Sequence, residues 1–330
     1  MPKINSRKLG RSGIKVSPMG LGCWAIGGPF WENNTPLGWG EVDDNESIKA
    51  IHAALDLGIT LFDTANVYGA GHSEQVLGRA LDGIRSNVVI ATKFNAVFDE
   101  ITRQVTGSDS SPAGIRKACE DSLRRLNTDY IDLYQFHDNG FPADKAAPVR
   151  ETLEMLVNEG KIRAYGWSTD FPDRVEAFAR GPKCTAIQLQ LNVLDNNPAV
   201  IALCEKYNLA ALNRGPLAMG LLTGKYTAET KTSADDVRGE KSPEWMKYFK
   251  NGKPNPEWLK KRDAVSEILK SNGRTLAQGA LAWLWARSQK TLPIPGFRTV
   301  IQVKENAGAM QFGPLTARQM VEIDKLLGRA

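Results

Sequence analysis

The stretch ITLFDTANVYG, residues 59–69, passes from a short apolar run directly into the polar residues Asp63 and Tyr68. The run Ile59–Thr64 is rich in apolar and β-branched residues, which predicts a buried strand. Similar runs lie at Val88–Thr92, Ile131–Phe136, Ile162–Trp167 and Ala186–Leu191, with weaker candidates at Ala210–Asn213 and Thr291–Pro295. Together with a first strand near Lys15–Gly22, they bring the predicted count close to eight.

Amphipathic helical stretches separate these runs. Ser111 and Pro112 predict a helix N-cap followed by proline in the first turn. Further helices are predicted at Asp43–Leu57, Ser73–Leu81, Pro198–Lys206 and Pro256–Lys270, and from Pro148 to the C-cap Gly160. This alternation predicts an α/β fold, a (β/α)8 TIM barrel.

Two additions to the barrel are predicted at its ends. The stretch 8–22 predicts an N-terminal β-hairpin that turns at Ser12-Gly13, and Pro314–Leu327 predicts an extra C-terminal helix. No composition shift divides the chain, so residues 1–330 are expected to form a single domain. The polar stretch 227–255 is expected to be a long loop within it, and such loops are often functional.

The charge and cysteine content limit the function classes. Among 330 residues, 42 are basic and 37 are acidic, a balance that argues against a nucleic-acid partner. The four cysteines show no CxxC spacing, which favours reduced thiols over disulfides or a zinc site. The N-terminus has no apolar segment and no run of 18 apolar residues occurs, so a cytoplasmic protein without a membrane partner is expected.

Two glycine motifs resemble nucleotide-binding signatures without meeting their requirements. Residues 20–25 (GLGCWA) fit the dinucleotide fingerprint, but Gly27, Gly28 and Pro29 follow where a helix must begin. Residues 220–225 (GLLTGK) have three residues between the glycines, whereas a phosphate-binding P-loop has four. Neither a Rossmann domain nor a P-loop is therefore expected.

Polar residues cluster at the ends of the predicted strands. Taken singly, each has an ordinary structural explanation: an Asp caps a helix, a His is a hydrogen-bonded core residue, and a Lys is solvated. In a barrel all of these strand ends meet at one mouth, where catalytic residues lie. The residues are Asp63, Lys93, His137, Ser168, Gln188 and Arg214.

From Leu9 to Asn306 the chain resembles the aldo-keto reductase family. The resemblance rests on FDTANVYG at 62–69, GHSE at 71–74, ATK at 91–93 and DYIDLYQFH at 129–137. It continues through GKIR at 160–163, GPL at 215–217, GLLTGKY at 220–226 and IPG at 294–296. The resemblance implies an NADPH-dependent oxidoreductase that reduces aldehydes or ketones.

The chemistry of carbonyl reduction accounts for four of these residues. Tyr68 is the proton donor, and the Lys93 ammonium would lower its pKa from an ordinary value of about 10. Asp63 would hold Lys93 in place, and His137 would donate a hydrogen bond to the carbonyl oxygen. The resemblance implies the same roles, and no metal is required.

The resemblance also implies how the cofactor is held. Ser168 and Gln188 would bind the carboxamide, the 215–226 segment the pyrophosphate, and Arg298 the 2′-phosphate, which favours NADPH over NADH. Departures from the family pattern lie at Thr169, Leu191, Arg214 and Gln302. The predicted cofactor-binding residues are Trp24, Asp63, Ser168, Gln188, Arg214, Gly215, Pro216, Leu217, Gly220, Leu221, Lys225, Gly296, Arg298, Gln302, Glu305 and Asn306.

The substrate side is predicted to be aromatic, with Trp24, Trp31, Tyr68 and His137 contacting a small-molecule carbonyl; Phe30 and Trp39 are further candidates. Two other functions stay open. One is a cofactor-binding regulatory module that resembles ion-channel β-subunits and turns over little. The other, ranked last because it leaves Lys93 and Tyr68 unexplained, is a barrel hydrolase that uses Asp63 and Asp138. The oligomeric state, a homo-oligomer included, is not determined by the sequence.

Overall fold

A computed structural model of the chain describes residues 6–329, so residues 1–5 of the N-terminal stretch lie outside it. Its centre is one sheet of eight parallel strands in sequential order. The Gly22 N–H donates to the Pro295 carbonyl at 3.0 Å, which joins the last strand to the first and closes the predicted barrel. The strands are β1 Gly20–Gly22, β2 Leu61–Asp63, β3 Val89–Phe94, β4 Ile131–Phe136, β5 Ile162–Ser168, β6 Cys184–Gln190, β7 Ala210–Arg214 and β8 Thr291–Pro293.

Helices surround this barrel. They are α1 Asp44–Asp56, α2 His72–Ala80, α3 Pro112–Leu126, α4 Ala147–Asn158, α5 Pro172–Ala179, α6 Pro198–Lys206, α7 Pro256–Lys270, α8 Leu276–Arg287, α9 Val300–Gly308 and α10 Ala317–Leu326. The predicted N-cap of α3 is confirmed, because the Ser111 side chain accepts a hydrogen bond from the Gly114 N–H. Helices α5, α8 and α9 were not predicted. Helix α8 is buried on nearly every face, so it has no polar side to give it a helical periodicity.

The N-terminal hairpin closes the lower end of the barrel. Its strands, Arg7–Lys8 and Lys15–Val16, pair antiparallel, which confirms the predicted turn but shortens the predicted first strand to Gly20–Gly22. Leu9, Ile14 and Val16 join the buried apolar residues of the barrel interior. This end is therefore sealed by apolar packing, and polar groups are left to the opposite mouth.

The strand period of two determines which side chains reach the upper mouth. Leu61, Ala91 and Leu133 point into the barrel interior, so Asp63, Lys93 and Gln135, two residues further along, point inward one layer higher. A register shift between β5 and β6 brings Ser168 opposite Gln188 in the same layer. The inward layer at the mouth is therefore polar, whereas the layer beneath it is apolar.

Long connections cover this mouth. The 227–255 segment lacks helices and contains one small hairpin, Phe249–Lys250 with Lys253–Pro254. A second hairpin, Trp31–Glu32 with Thr35–Pro36, follows β1, and a third, Ala96–Phe98 with Val105–Ser108, follows β3. Within residues 6–329, none of the helices has the length and apolarity needed to cross a membrane.

Candidate active site

The buried ammonium of Lys93 joins the groups at the centre of the mouth. Its Nζ donates to Asp63 Oδ1 at 2.5 Å, to the Thr64 carbonyl at 2.8 Å and to Tyr68 Oη at 3.2 Å. Lys93 is fully buried and Asp63 is almost so. A buried charge is tolerated only when it is paired and hydrogen-bonded, and here the three acceptors use all three N–H donors of Lys93.

The second oxygen of Asp63 is held by two carboxamides. Gln135 Nε2 and Gln188 Nε2 donate to Asp63 Oδ2 at 3.0 and 2.7 Å, respectively. Gln135 was not predicted from the sequence, although its position two residues before His137, in an inward-facing register, could have identified it. Gln188, predicted to bind the cofactor carboxamide, also holds Asp63 through its amide nitrogen.

Burial and charge act in opposite directions on Tyr68 and Lys93. Burial raises the pKa of Tyr68, and the Lys93 ammonium opposes this effect without cancelling it, so the direction is opposite to the one predicted. Burial disfavours the charged form of Lys93, but Asp63 and Tyr68 outweigh that cost and raise its pKa. At neutral pH the pair is therefore a protonated phenol beside an ammonium.

The rings of His137 and Tyr68 meet edge to face, with their centroids 6.0 Å apart. Burial, reinforced by the positive charges of Lys93 and Arg214, lowers the pKa of His137 to about 3. The imidazole is therefore neutral at neutral pH. A neutral imidazole carries one N–H donor, which suits a hydrogen bond to a carbonyl oxygen.

A close backbone contact fixes the turn that presents Tyr68. Gly69 has φ +63°, and a Cβ atom there would lie 1.8 Å from the Gly27 carbonyl oxygen. Only glycine fits such a contact in a left-handed conformation. The Ser73 hydroxyl, at the start of α2, donates to the Cys23 carbonyl at 2.7 Å, so the turn after β2 is tied to the loop after β1.

The 215–226 segment has the backbone of a ligand-binding loop. Gly215, Ala218, Met219 and Gly220 all have positive φ angles, of 59°, 48°, 55° and 92°. Two of these residues are not glycine, and such strain concentrates at ligand sites. Around these residues, Pro216, Leu217 and Leu221 are buried, while Lys225 is exposed and its Nζ lies 5.0 Å from the Tyr226 ring.

Arg214 ends β7 at the rim of the mouth. It forms an ion pair with Asp170, and its Nη1 donates to Gln190 Oε1 at 3.1 Å. Its side chain is one-third exposed. The guanidinium is therefore held in place, near enough to Tyr68 and His137 for its charge to lower the pKa of His137.

The residues predicted for the adenosine end lie together after β8. Arg298 donates through Nη1 to the Trp39 carbonyl at 2.9 Å and through Nη2 to the Glu41 carbonyl. Gln302 Oε1 accepts from the Arg298 N–H at 2.7 Å, and Asn306 Nδ2 donates to the Gly296 carbonyl at 3.3 Å. The carbonyl of Glu305, on the same helix, accepts from Gln278 Nε2 at 3.0 Å. In this structure, Arg298 therefore fastens the loop after β1.

On the substrate side, Trp24 stacks on Tyr68 at 5.7 Å and meets Trp39 edge to face at 5.3 Å. Trp31 lies in the hairpin after β1, and its N–H donates to the Arg103 carbonyl. Among the described residues its indole makes no ring contact with Trp24 or Tyr68. Phe30 is buried in an apolar cluster with Ala65 and Val67, against which Trp24 and Tyr68 also pack.

The remaining carboxylates and cysteines test the alternatives of a hydrolase pair, a metal site and disulfides. Asp138 Oδ1 accepts from the Gly140 N–H at 2.9 Å, and Asp63 is committed to Lys93 and the two glutamines, so the two carboxylates do not form a hydrolase pair. Within residues 6–329, no three His, Cys, Asp or Glu side chains are grouped to hold a metal. The four cysteines, Cys23, Cys119, Cys184 and Cys204, are free and buried.

Known proteins with similar sequences and folds include several oxidoreductases. The sequence pattern of the Aldo/keto reductase family matches residues 18–327. The chain is 36% identical to the aldo-keto reductase YhdN of Bacillus subtilis (strain 168) over 282 residues, 83% of this chain and 78% of YhdN. Its fold is similar to the glycerol dehydrogenase AKR11B4 of Gluconobacter oxydans, with a TM-score of 0.80, 34% identity and 98% and 95% of the two chains covered. It is also similar to an aldo-keto reductase of Klebsiella pneumoniae in complex with NADPH, with a TM-score of 0.73, 25% identity and 99% and 97% covered.

Proposed function

The chain belongs to the aldo/keto reductase family, and we propose that it reduces aldehydes or ketones to alcohols with Tyr68 as the general acid. Family membership makes it an NAD(P)H-dependent oxidoreductase. One observation supports the assignment of the acid above all others. A single buried ammonium, Lys93 Nζ, contacts both Asp63 Oδ1 at 2.5 Å and Tyr68 Oη at 3.2 Å.

Each of the four groups has one task in this mechanism. The Tyr68 phenol donates its proton to the carbonyl oxygen, and the Lys93 ammonium stabilises the phenolate that forms. Asp63, fixed by Gln135 and Gln188, keeps Lys93 charged and oriented. Neutral His137 donates a hydrogen bond to the carbonyl oxygen and orients the substrate.

NADPH is the cofactor, and when bound it supplies hydride to the carbonyl carbon. The residues present fit such a ligand: the strained backbone at Ala218 and Met219 presents a loop for phosphates, and a Cβ at Gly296 would meet its nearest atom at 3.8 Å, so there is room beside the backbone. Two solved relatives, both from Klebsiella pneumoniae, are described with NADPH or NADP. We assign the carboxamide to Ser168 and Gln188, which lie opposite each other on β5 and β6 at the mouth.

The proposed substrate class, location and domain organisation are supported by the same structure. A small carbonyl compound is the partner, and the aromatic side chains at the mouth support an organic substrate. The four free, buried cysteines support a cytoplasmic location. A single domain over residues 1–330, with 227–255 as an internal loop, is supported by the one closed sheet. The regulatory alternative has no support among the relatives named above.

Replacement of the phenol tests the proposed acid. Tyr68→Phe removes only the hydroxyl, so kcat/KM for 4-nitrobenzaldehyde is expected to fall by about 10²–10⁴-fold while NADPH binding persists. Turnover is followed by NADPH absorbance, and Tyr207→Phe, at the end of α6, is the matched control. Undiminished turnover in Tyr68→Phe would rule out Tyr68 as the acid.

A further inference from the structure

We propose that Trp245, in the 227–255 segment, is the residue that selects the substrate, and that it favours carbonyl compounds carrying a flat apolar ring. This inference rests on the proposed reductase function and identifies a substrate class for it. It concerns a side chain that the sequence motifs do not mark.

The indole of Trp245 lies at the catalytic mouth. Its ring centroid is 6.2 Å from that of Trp24, which in turn stacks on the Tyr68 phenol at 5.7 Å. Trp24 is itself fixed, because its Nε1 donates to the Leu37 carbonyl at 3.0 Å. Two indoles from distant parts of the sequence therefore form one aromatic surface beside the proton donor.

Trp245 is also unusually exposed for its size, at 56%. Exposed large apolar side chains that neighbour a reactive group commonly form ligand-binding surfaces, because a bound ligand removes them from water. Other exposed apolar side chains, such as Ile101 and Ile301, lie on segments without contact to Trp24 or Tyr68 among the described ring and core contacts.

Val237 and Arg238, which precede Trp245, form a first anchor that holds the 227–255 segment against two other loops. Arg238 pairs with Asp236, donates through Nη1 to the Met219 carbonyl at 3.1 Å and lies 4.4 Å from the Trp39 ring. The Val237 N–H donates to the Gly38 carbonyl at 2.7 Å. The segment that carries Trp245 is thus joined to the proposed phosphate loop and to the loop after β1.

A second anchor follows Trp245 by three residues. The Tyr248 hydroxyl accepts from Gln190 Nε2 at 2.9 Å and from Asn192 Nδ2 at 2.8 Å. It donates to Asp195 Oδ2 at 3.3 Å, and Lys247 pairs with the same carboxylate at 2.6 Å. Because both anchors are on the barrel mouth, the exposed indole has a defined position and forms a preorganised wall.

Two substrates of different shape distinguish this role from a structural one. With 4-nitrobenzaldehyde, Trp245→Ala is expected to raise KM about 10-fold with kcat little changed, because a ring contact is lost. With methylglyoxal, which has no ring, both constants should stay within about 2-fold. Trp245→Phe keeps an aromatic face, so its KM for the aryl substrate should lie close to the wild-type value.

The matched control is Phe171→Ala, another exposed aromatic residue, whose ring lies 4.0 Å from the Arg174 guanidinium instead. It should leave the ratio of the two kcat/KM values unchanged. Equal losses for both substrates in Trp245→Ala would overturn the inference, because they would indicate general disruption of the mouth. A wild-type protein that reduces methylglyoxal but not the aryl aldehyde would also overturn it and leave the reductase function standing. A wild-type protein that reduces neither would instead refute the proposed function.

Discussion

The proposed catalytic groups and the proposed cofactor-binding groups share one mouth of the barrel, but they are held in different ways. Asp63, Lys93 and Gln135 stand on strands, are buried, and form hydrogen bonds with one another and with Thr64, Tyr68 and Gln188. Arg214 and Arg298 stand on loops or strand ends, are partly exposed, and bond to groups of neighbouring loops. The first group is built before any ligand arrives, whereas the second has polar atoms that a ligand can still recruit.

Substitutions in the two groups should therefore affect different properties of the protein. A change in the strand-borne group should alter stability and chemistry together, because it exposes a buried charge or donor. A change in the loop-borne group should alter ligand affinity with little effect on stability, because those side chains retain access to water.

The largest effect is expected from Lys93→Met. It leaves the buried Asp63 carboxylate without its cation, so the free energy of unfolding should fall by about 3–5 kcal/mol and turnover should be lost. Urea denaturation and NADPH absorbance measure the two effects. The control Lys117→Met breaks an exposed pair with Asp121 on α3 and should cost less than about 0.5 kcal/mol. Equal costs for the two variants would break the contrast.

A smaller effect is expected from Gln135→Leu. Asp63 Oδ2 loses one of its two amide donors but keeps Gln188, so the free energy of unfolding should fall by about 1–3 kcal/mol. kcat should fall as well, because Asp63 holds Lys93 less firmly, while KM changes little. Gln75→Leu, an exposed position on α2, is the control. A stability loss without any loss of kcat would separate Gln135 from the chemistry.

Arg298→Ala tests the loop-borne group. The dissociation constant for NADPH should rise about 10-fold, because one charged contact to a phosphate is lost, while that for NADH and the midpoint of urea denaturation stay nearly constant. Isothermal titration compares both cofactors, and Arg318→Ala on α10 is the control. Equal losses for NADPH and NADH would show that Arg298 acts only by fastening Trp39 and Glu41.

The smallest effect is expected in the pH dependence of kcat/KM, which should show no ionisation of His137 over the working range. Reduction requires a protonated Tyr68, so the rate is retained below the pKa of this phenol, which burial raises, and is lost above it. His137, with its pKa lowered to about 3, stays neutral over the working range. kcat/KM should therefore be flat between about pH 5 and about pH 9. An inflection of kcat/KM at about pH 6.5 that disappears in His137→Gln would contradict this expectation.

The sequence alone determined the barrel and its catalytic rim. Short apolar, β-branched runs that alternate with amphipathic helices predicted the parallel barrel, and Asp63, Lys93 and His137 lie where these runs end, at the rim that becomes the mouth. The hairpin at the N-terminus and the cap at Ser111 were also predictable, since both depend on local residues. Helix α8 was not, because a helix buried on all sides has no periodic signal.

Only the tertiary structure decided how these residues are connected. Gln188 was predicted as a cofactor ligand, and the structure adds that its amide donates to Asp63 from a distant strand. Lys93 was expected to lower the pKa of Tyr68, but burial, which no spacing reveals, outweighs the charge. Trp24 was predicted as a substrate contact, but only the structure shows that Trp245, over 200 positions further along the chain, lies beside it together with Trp39. Contacts between loops depend on packing across the mouth, and sequence spacing does not encode that packing.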